Sequence, residues 1–456
     1  MAYQSTNPYD GKVVKSFDEI SDAQLEASLK QADDCFETVW SKKSFAERKA
    51  VLSRAAALMR EQSQHFAELI TLEMGKLIQQ SQGEVALSAA ILEYYADNAE
   101  AFLSPEKLSP SRGEAMVESS PIGVLFGVEP WNYPYYQVAR FAAPNLMAGN
   151  TVMVKHASNV PQCAQAFEKL MLDAGAPRGA YTNLFISKDQ VAKVIDDPRI
   201  RAVALTGSEE AGAVVAQRAG KNLKKSTLEL GGSDAFIVLD DADLEKAVKH
   251  AVSGRMGNSG QACTASKRII VVEGLADRFL EKFKAAMEGF KPGDPMDKAT
   301  TLAPLSSAQA LKTILEQVDE AVGHGARALI GGQRVEGQAG AFMQPTILTD
   351  IAADNPAYKQ EFFGPVALFF RVADEKAAVA LANDSPFGLG GSVFTQDVER
   401  GRRVARQIDT GMVFINSAAV STPDLPFGGV KNSGYGRELS AAGIHEFVNK
   451  KLIRVN

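Results

Sequence analysis

The sequence predicts an α/β protein made of two α/β domains, and three features of the 456-residue chain support this fold class. Residues 21 to 100 are strongly helical, because the apolar residues of ERKAVLSRAAALMR recur on one face with a period of 3.6. Between residues 121 and 250, short β-branched segments alternate with amphipathic helical ones, and a second such run follows residue 263. Alternating strands and helices favour right-handed βαβ units and a mostly parallel sheet covered by helices on both faces.

The elements of the two runs can be read in order along the chain. The predicted strands of the first run are PIGVLFGVEP, NTVMVKH, RIRAVALTG, KSTLELGG and AFIVLD. Its predicted helices are residues 163 to 174, which end at Gly175 and Pro177, then SEEAGAVVAQRAG and DLEKAVKHAV. The second run contains RIIVVEG, the helix LADRFLEKFKAAMEGF, and the strands ALFFRV and GSVFTQD. The chain therefore crosses between the two domains near residues 229 to 232.

Composition and charge exclude several classes of protein. The net charge is −6 and the basic residues are interspersed with acidic ones, so no surface for nucleic acid or an anionic membrane is predicted. The N-terminus lacks a secretory pattern, and no apolar run approaches a membrane span. Three cysteines without paired spacing and five scattered histidines predict neither a disulfide framework nor a metal site. We expect a cytoplasmic protein with a small-molecule substrate. If that substrate is anionic, one arginine would suffice to recognise it.

Cys263 lies in GNSGQACTASKR, among glycine and small polar residues instead of apolar neighbours. A nucleophilic thiolate needs a group that lowers its pKa or accepts its proton, and donors for the oxyanion formed at a substrate carbonyl. The Cys263 backbone amide is one possible donor. This segment alone fits a catalytic nucleophile and an unreactive loop cysteine equally well, whereas Cys35 and Cys163 are predicted to be packing residues.

Three other segments offer the groups that such a cysteine needs. Glu229 in STLELGGSD is a carboxylate in an apolar strand, where desolvation makes it a base for water; a solvent-facing glutamate on an edge strand is the alternative. Asn132 in EPWNYP offers an amide as oxyanion donor, although a packed Pro-bounded loop has the same pattern. Gly207 and Ser208 in LTGSEEAG form a strand-to-helix turn that either binds an anion or only caps the helix.

Together these segments resemble the aldehyde dehydrogenase superfamily in order and approximate spacing, across essentially the whole chain. The motifs that carry the resemblance are PWNYP at 130, VMVKHAS at 152, LTGS at 205, LELGG at 228, GNSGQAC at 257, EFFGP at 361 and PFGGVKNSGYGRE at 426. The resemblance implies that Cys263 attacks an aldehyde to form a thiohemiacetal, whose oxyanion is held by the Asn132 amide and the Cys263 N–H. After hydride transfer to a nicotinamide, Glu229 would activate the water that releases the carboxylic acid from the thioester.

The resemblance also implies the fold and the assembly. We expect a Rossmann-like cofactor domain, a second α/β catalytic domain and a small oligomerisation element, in a homodimer or homotetramer. The cofactor-binding domain would comprise residues 1–102 and 123–228, the catalytic domain 229–435, and the oligomerisation element 103–122 and 436–456. The C-terminal HEFVNKKLIRVN predicts a strand without a local partner, which suggests pairing across a subunit interface.

A set of cofactor-binding residues follows from the same resemblance: Trp131, Lys155, Ser158, Gly207, Ser208, Leu230, Glu361 and Phe363. Lys155 would bind the adenosine ribose, Glu361 the nicotinamide ribose, and Gly207 with Ser208 the pyrophosphate. Relatives that prefer NAD commonly carry a glutamate at position 158, which repels a 2′-phosphate; a serine there favours NADP, with NAD use possible. His156 replaces the proline usual at its position.

Arg140 is the best clue to the substrate. Members that oxidise succinate semialdehyde have an arginine at this offset from PWNYP, where it holds the far carboxylate, and Ser421 would assist it. An arginine that only bridges helices or caps a carbonyl is the structural alternative. The competing functions are a dehydrogenase for another aldehyde (aliphatic, betaine or glutarate semialdehyde), a coenzyme-A-acylating enzyme, which the base at Glu229 disfavours, and a non-catalytic protein on the same scaffold.

Overall fold

The N-terminal part of the protein is helical, as the sequence predicts. The computed structural model describes residues 3–456, and its helices before residue 103 are Asp22–Thr38, Phe45–Glu61, Ser63–Met74 and Ile78–Phe102. The helix Phe45–Glu61 begins at Ser44, which exchanges hydrogen bonds with Glu47 in a capping box. The predicted apolar face of this helix (Val51, Leu52, Ala55, Leu58 and Met59) is buried. Burial of that face, more than helix propensity, therefore stabilises the helix.

A six-stranded sheet forms from the first α/β run. Its strands lie in the order Gly434–Tyr435, Lys225–Glu229, Ile200–Thr206, Val124–Glu129, Thr151–His156 and Tyr181–Asn183. All neighbours are parallel except Gly434–Tyr435 with Lys225–Glu229. The chain first builds outward from Val124–Glu129 on one side and then returns to its other side with Ile200–Thr206. At such a switch point the loops after the two strands diverge, which opens a crevice at their carboxyl ends.

A seven-stranded sheet forms from the second run together with Asp234–Val238, a strand predicted as part of the first run. Its strands lie in the order Arg327–Ile330, Thr346–Thr349, Val366–Val372, Ser266–Val272, Asp234–Val238, Gly391–Phe394 and Phe414–Ile415. All neighbours are parallel except the first pair. Residues 230–233 connect the two sheets.

Helices and turns cover both faces of each sheet. The remaining α-helices are Tyr136–Ala148, Pro161–Asp173, Lys188–Asp196, Glu209–Lys221, Leu244–Met256, Glu273–Glu288, Ala308–Gly323, Glu375–Asn383, Val398–Ala405 and Ser440–Ile444. Short 3₁₀ turns are Trp40–Lys42, Gly257–Gly260 and Pro356–Tyr358. Two small pairs of strands are Tyr3–Thr6 with Val13–Phe17 and Phe387–Gly388 with Val430–Lys431.

Side chains of one central strand alternate between two separate apolar cores. Along Ser266–Val272, Ile270 and Val272 lie in one core, whereas Ile269 and Val271 lie in another. This alternation is the consequence of the two-residue period of a strand that is covered on both faces. The predicted α/β fold class is therefore confirmed.

The third sheet combines a hairpin with the C-terminal strand. Its antiparallel strands are Glu106–Leu108, Glu114–Pro121 and Val448–Val455, in that spatial order. The last strand has a partner within the chain that is far away in sequence, because Glu114–Pro121 pairs with it along its whole length. The local pattern gave no partner, whereas the resemblance grouped residues 103–122 and 436–456 in one element. Val448–Val455 is an edge strand whose residues from 449 onward are exposed.

Across residues 3–456, no helix has both the length and the apolar character that crossing a membrane requires.

Candidate active site

Cys263 follows a strained turn between the helix Leu244–Met256 and the strand Ser266–Val272. Asn258, Ser259 and Gly260 have left-handed backbone, with φ of 52°, 51° and 77°. Only glycine fits the third position, because a Cβ at residue 260 would lie 2.2 Å from a carbonyl oxygen of the neighbouring loop. Consecutive left-handed residues cost free energy and persist only where their surroundings hold them.

The side chains of the turn supply that support. The Asn258 amide donates to the carbonyls of Asn132 at 3.0 Å and Gln261 at 3.1 Å. The Ser259 hydroxyl donates to the carbonyl of Ala303 at 2.9 Å. All of these groups are buried, so their hydrogen bonds form away from water and fix the backbone that leads to Cys263.

Asn132 is oriented by its neighbours. Its Oδ1 accepts a hydrogen bond from Gln137 at 3.1 Å, and its Nδ2 donates to the Gln261 carbonyl at 3.0 Å. The loop that carries it is also held by His156, whose Nε2 lies 2.8 Å from the Pro134 carbonyl. Burial lowers the pKa of His156 to about 4, so the ring is neutral and donates from Nε2. The second Nδ2 hydrogen of Asn132 is the one that suits an oxyanion.

A buried ion pair supports the same loop from behind. Glu84 accepts hydrogen bonds from the backbone amides of Tyr135 at 2.9 Å and Tyr136 at 3.3 Å, at the start of a helix. Lys76 is paired with Glu84, and its Nζ also donates to the Asn132 carbonyl at 2.8 Å. A carboxylate on the first amides of a helix satisfies donors that would otherwise lack partners.

Glu229 ends its strand in a buried position. It is 3% exposed, and its two oxygens have no hydrogen-bond partner among the described residues. The alternative of a solvent-facing carboxylate is therefore wrong. Desolvation raises the pKa of Glu229 well above its usual range; the charge of Glu438 adds to this effect and Arg140 opposes it. A carboxylate of this kind is basic enough to take a proton from a thiol or from water.

Three buried carboxyl groups share one guanidinium. We call Glu129, Glu229 and Glu438 the carboxylate cluster; all three are buried, and Arg140 interacts electrostatically with each. Burial raises the pKa of each of them, because one positive charge compensates only one negative charge in a place without water. The surroundings of the cluster therefore favour the neutral form of each carboxyl group more than water does.

Arg140 is 1% exposed and already engaged within the chain. It forms an ion pair with Glu438, and its guanidinium lies 4.3 Å from the centre of the Phe427 ring. It donates to the Tyr136 hydroxyl at 3.2 Å and to the Thr206 hydroxyl at 3.3 Å. These contacts agree with the structural alternative considered for Arg140. Arg140 also lines a cavity.

Two cavities meet at Cys263. One, of about 290 Å³, is lined by nine of the predicted residues: Trp131, Asn132, Gly207, Ser208, Glu229, Leu230, Cys263, Glu361 and Phe363. The other, of about 400 Å³, contains Arg140, Ser421, Tyr136 and Lys76 beside Cys263. We call them the cofactor cleft and the substrate cavity. The structure thus brings a thiol, a carboxylate and an amide around one space, although they are far apart in the sequence.

Lys155 and Ser158 do not line the cofactor cleft. The Lys155 Nζ donates to the His156 carbonyl at 3.0 Å and lies 5.4 Å from the Tyr3 ring centre. Burial lowers the pKa of Lys155 to about 8. Ser158 lines a separate cavity next to Gln4, whose backbone amide donates to the Ser158 carbonyl at 2.9 Å. The roles of these two residues in cofactor choice remain predictions.

A buried lysine joins Glu361 to the nucleophile. Lys267 is fully buried, and its Nζ lies 2.8 Å from Glu361 Oε1 and 2.7 Å from the Cys263 carbonyl oxygen. Burial raises the pKa of the Cys263 thiol to about 11, and the charges of Lys267 and Arg140 work against this rise. The thiol is therefore protonated at rest, and a base such as Glu229 is needed to ionise it.

Sequence reasoning missed Lys267, Glu129 and Glu438. Lys267 and Glu129 each carry the signal that drew attention to Glu229, a charge at one end of an apolar strand. Glu438 gave no local signal, since it lies in a glycine-rich turn whose partner Arg140 is distant in the chain.

The cofactor cleft suits the nicotinamide half of a dinucleotide. Trp131 and Phe363 form an edge-to-face pair with ring centres 5.8 Å apart, which offers an aromatic wall. Gly231 allows close approach, since a Cβ there would lie 2.4 Å from a Glu361 oxygen. Ser208 caps the helix Glu209–Lys221, whose N-terminus points at the cleft as pyrophosphate sites require.

A cleft of this kind beside a reactive cysteine defines a dinucleotide-dependent oxidoreductase that works through a thiol adduct. Comparison with known proteins agrees. The model of the Aldehyde dehydrogenase family matches residues 1–453, and the chain belongs to that family.

Individual relatives are similar over almost their full length. A Succinate-semialdehyde dehydrogenase [NADP(+)] of Deinococcus radiodurans is 52% identical over 452 residues, 99% of this chain and 94% of the relative. A Probable succinate-semialdehyde dehydrogenase [NADP(+)] of Synechocystis is 45% identical, with 99% of each chain covered. The crystal structure of a succinic semialdehyde dehydrogenase from Streptococcus pyogenes in complex with NADP+ is 49% identical, with a TM-score of 0.98 and 100% of each chain covered.

Proposed function

We propose that the protein oxidises succinate semialdehyde to succinate with NADP as hydride acceptor, and that NAD is used less well. The observation that carries this proposal is the meeting of the cofactor cleft and the substrate cavity at Cys263. The names of the similar proteins from Deinococcus radiodurans, Synechocystis and Streptococcus pyogenes support both the aldehyde and the cofactor.

The chain's own residues supply the covalent chemistry. Glu229 accepts the thiol proton, and the Cys263 sulfur bonds to the aldehyde carbon to give a thiohemiacetal. The second Nδ2 hydrogen of Asn132 and the Cys263 backbone N–H stabilise the oxyanion in a place where water does not compete. A nicotinamide held in the cleft by Trp131, Glu361 and Phe363 would supply the acceptor for the hydride of the same carbon, whose loss leaves a thioester. Glu229 first releases the thiol proton to solvent. It then takes a proton from the water that attacks the thioester, the C–S bond breaks, and the acid leaves with Cys263 restored as a thiolate.

The far carboxylate of the substrate would meet a set of donors in the substrate cavity. The Tyr136 hydroxyl receives a hydrogen bond from Arg140 at 3.2 Å and lies within hydrogen-bond reach of Ser421. Arg140 supplies the charge, and the hydroxyls of Tyr136 and Ser421 supply direction. Because Arg140 is already paired with Glu438, a carboxylate substrate would share the guanidinium with Glu438.

The same ion pair favours one second candidate. If Arg140 serves only to hold Glu438, the cavity accepts an uncharged aldehyde equally well. Comparison of kcat/KM for succinate semialdehyde and butanal, each with NADP and with NAD, separates the two. We expect the charged substrate and NADP to be preferred. Equal values for both aldehydes in the native enzyme would overturn the substrate proposal.

Arg140→Met gives a sharper version of this test, with Arg140→Lys as the matched variant that keeps a charge. Loss of a charged hydrogen bond costs about 1.5–3 kcal/mol, so kcat/KM for succinate semialdehyde is expected to fall roughly 10- to 150-fold in the Met variant. The value for butanal is expected to change much less. A drop of the same size for both aldehydes would assign Arg140 to structure alone.

For cofactor choice, we propose that Ser158 and Lys155 receive the 2′-phosphate of NADP. Ser158→Glu is expected to raise the KM for NADP and leave the KM for NAD almost unchanged, because the added carboxylate repels only the phosphate. The matched variant Ser158→Ala removes the hydroxyl without adding charge. An unchanged NADP to NAD ratio in Ser158→Glu would contradict the assignment.

We further propose a cytoplasmic homodimer or homotetramer that assembles through the three-stranded sheet. Leu452 is 61% exposed and Val455 63% exposed on the edge strand Val448–Val455, which leaves apolar side chains and an unpaired edge together. Leu452→Asp with Val455→Asp is expected to shift the mass measured by light scattering to that of a monomer. Lys450→Asp on the same strand is the control for charge.

A further inference from the structure

Lys267 is a buried cation that no step above uses. Its side chain is fully buried, at the start of the strand that follows the nucleophile. The Nζ donates to the carbonyls of Ala262 at 2.9 Å and Cys263 at 2.7 Å, and it pairs with Glu361 Oε1 at 2.8 Å. All three hydrogens of the ammonium are therefore used. Burying a lysine is costly unless it is paired and hydrogen-bonded, and here both conditions are met.

The contacts of Lys267 join the two halves of the site. Two of its partners belong to the segment that carries the thiol, and the third is the carboxylate of the cofactor cleft. The other Glu361 contact is with the backbone amide of Gly232, at 3.1 Å, in the connection between the sheets. Arg255 ties the same segments at a second point, since it donates to the carbonyls of Gly260 and Gly364 at 2.7 Å. Unlike those of Lys267, the hydrogen bonds that Arg255 forms with the described residues go to backbone carbonyls alone.

We propose that Lys267 is a positioning residue for the nucleophile: its ammonium ties the Cys263 backbone to Glu361 and supplies positive charge next to the thiol. This inference rests on the proposed function, in which Cys263 is the nucleophile. It goes beyond that function by assigning the thiol a cationic neighbour that is itself controlled by the carboxylate of the cofactor cleft.

The charges around Cys263 act in opposite directions. Lys267 is the largest influence that favours the thiolate, and Arg140 is the next. Glu361 and Asp234 oppose them. Glu361 therefore has two effects: it holds Lys267 in place, and its negative charge disfavours the thiolate. A carboxylate that turns toward a bound ribose would leave the lysine facing the thiol alone, which links occupation of the cleft to reactivity.

Two single variants distinguish an effect of the Lys267 charge from a purely structural role of Lys267. The measurement is the rate of alkylation of Cys263 by iodoacetamide between pH 6 and 10 in enzyme without cofactor, with Cys263→Ala as the blank. The other two cysteines are buried and contribute little. In Lys267→Met the rate at pH 8 is expected to fall at least tenfold, because the thiol pKa rises. In Glu361→Gln the rate at pH 8 is expected to increase, because the opposing charge is gone and the lysine remains.

The decisive feature is that the two variants are expected to change the alkylation rate in opposite directions. If Lys267 acted only as a structural brace, removal of either member of the pair would loosen the segment and move both rates in the same direction. Lys267→Arg, which keeps the charge, is expected to recover most of the native pH profile. Binding of NADP, followed by quenching of Trp131 fluorescence, is expected to weaken in Glu361→Gln and to change less in Lys267→Met.

Failure of the inference is distinct from failure of the proposed function. Alkylation needs no aldehyde, so the pH profiles stand even if succinate semialdehyde is not the substrate. Should Lys267→Met not fold, as judged by circular dichroism, Lys267→Gln replaces it, because its amide can still donate to the carbonyls but carries no charge. Slower alkylation at pH 8 supports the role of Lys267, and unchanged or faster alkylation overturns it.

Discussion

The two sides of Cys263 are built from opposite charges. On one side lies the carboxylate cluster, in which Glu129, Glu229 and Glu438 share Arg140. On the other side lie Lys267 and Arg255, two buried cations that donate to backbone carbonyls, with Glu361 paired to Lys267 and Asp234 nearby. On the first side three acids crowd around one guanidinium, whereas on the second side the cations are held by carbonyl oxygens.

Because of this difference, we expect the side with the carboxylate cluster to transfer protons and the side with Lys267 to position the nucleophile. Acids crowded in a dry place have raised pKa values, so they can accept and return protons near neutral pH. Lys267 and Arg255 instead donate hydrogen bonds to carbonyl oxygens and so fix geometry. Burial does lower the pKa of Arg255 to about 9, but this still leaves it charged at neutral pH. The thiol lies between a proton acceptor and a fixed cation.

The largest effect is expected from the thiol itself. Cys263→Ala should lower kcat on the order of 10⁵-fold or more, because the covalent route is lost, while the carboxylate and cationic sides remain intact. Fluorescence titration should still detect NADP binding. A variant that retained its rate would show that neither side serves Cys263 at all.

Glu229→Gln is expected to have the next largest effect. The isosteric amide keeps the packing but cannot accept a proton, so hydrolysis of the thioester should slow by roughly 10²- to 10⁴-fold. Rapid mixing should then reveal a burst of reduced cofactor followed by a slow steady state. Absence of the burst, with a uniformly slow first turnover, would place the main role of Glu229 before hydride transfer.

A pH profile of the thioester hydrolysis rate should show the influence of the cluster on its own base. The charge of Glu438 helps to raise the pKa of Glu229, and Arg140 lowers it. Glu438→Gln removes the first influence and frees Arg140 for the second, so the pKa of Glu229 falls. The acid limb of the profile should therefore move to lower pH, with a modest change in the plateau. Movement to higher pH would contradict the shared-guanidinium arrangement.

The smallest effect is expected from Glu129→Gln. Burial raises the pKa of Glu129 and so favours its neutral acid, of which the amide is a close mimic. The value of kcat/KM should stay within about twofold. A group whose pKa is raised in the folded state contributes stability that is lost as pH rises, so the Tm of the variant should gain on that of the native protein with increasing pH. A large loss of activity would mean that Glu129 ionises.

The sequence pointed to candidate site residues where a residue type was unusual for its neighbours in the chain. Cys263 among small polar residues, Glu229 in an apolar strand and Asn132 between prolines each conflicted with its surroundings, and all three line the cofactor cleft. The order of strands and helices was equally predictable, because periodicity depends on neighbours in the chain.

The features that the sequence did not predict depend on pairs of residues that lie far apart in the chain. The partner of the strand Val448–Val455 is 327 to 341 residues earlier in the chain, so no local pattern pointed to it. Arg140 and Glu438 are similarly far apart in the chain. Their ion pair, which gives Arg140 a structural role, could therefore not be predicted from local patterns. Charges whose compensating partners come from elsewhere are the residues that local reasoning underestimates.

The strand Gly434–Tyr435 has one more consequence, for the protein as it is being made. Gly434 pairs with Glu229, and Glu438 follows a few residues later, so the surroundings of the base are completed by a segment that is synthesised long after it. The N-terminal parts of a chain fold first during synthesis. A nascent chain therefore carries Glu229 and Cys263 well before it carries the strand that completes the surroundings of the base.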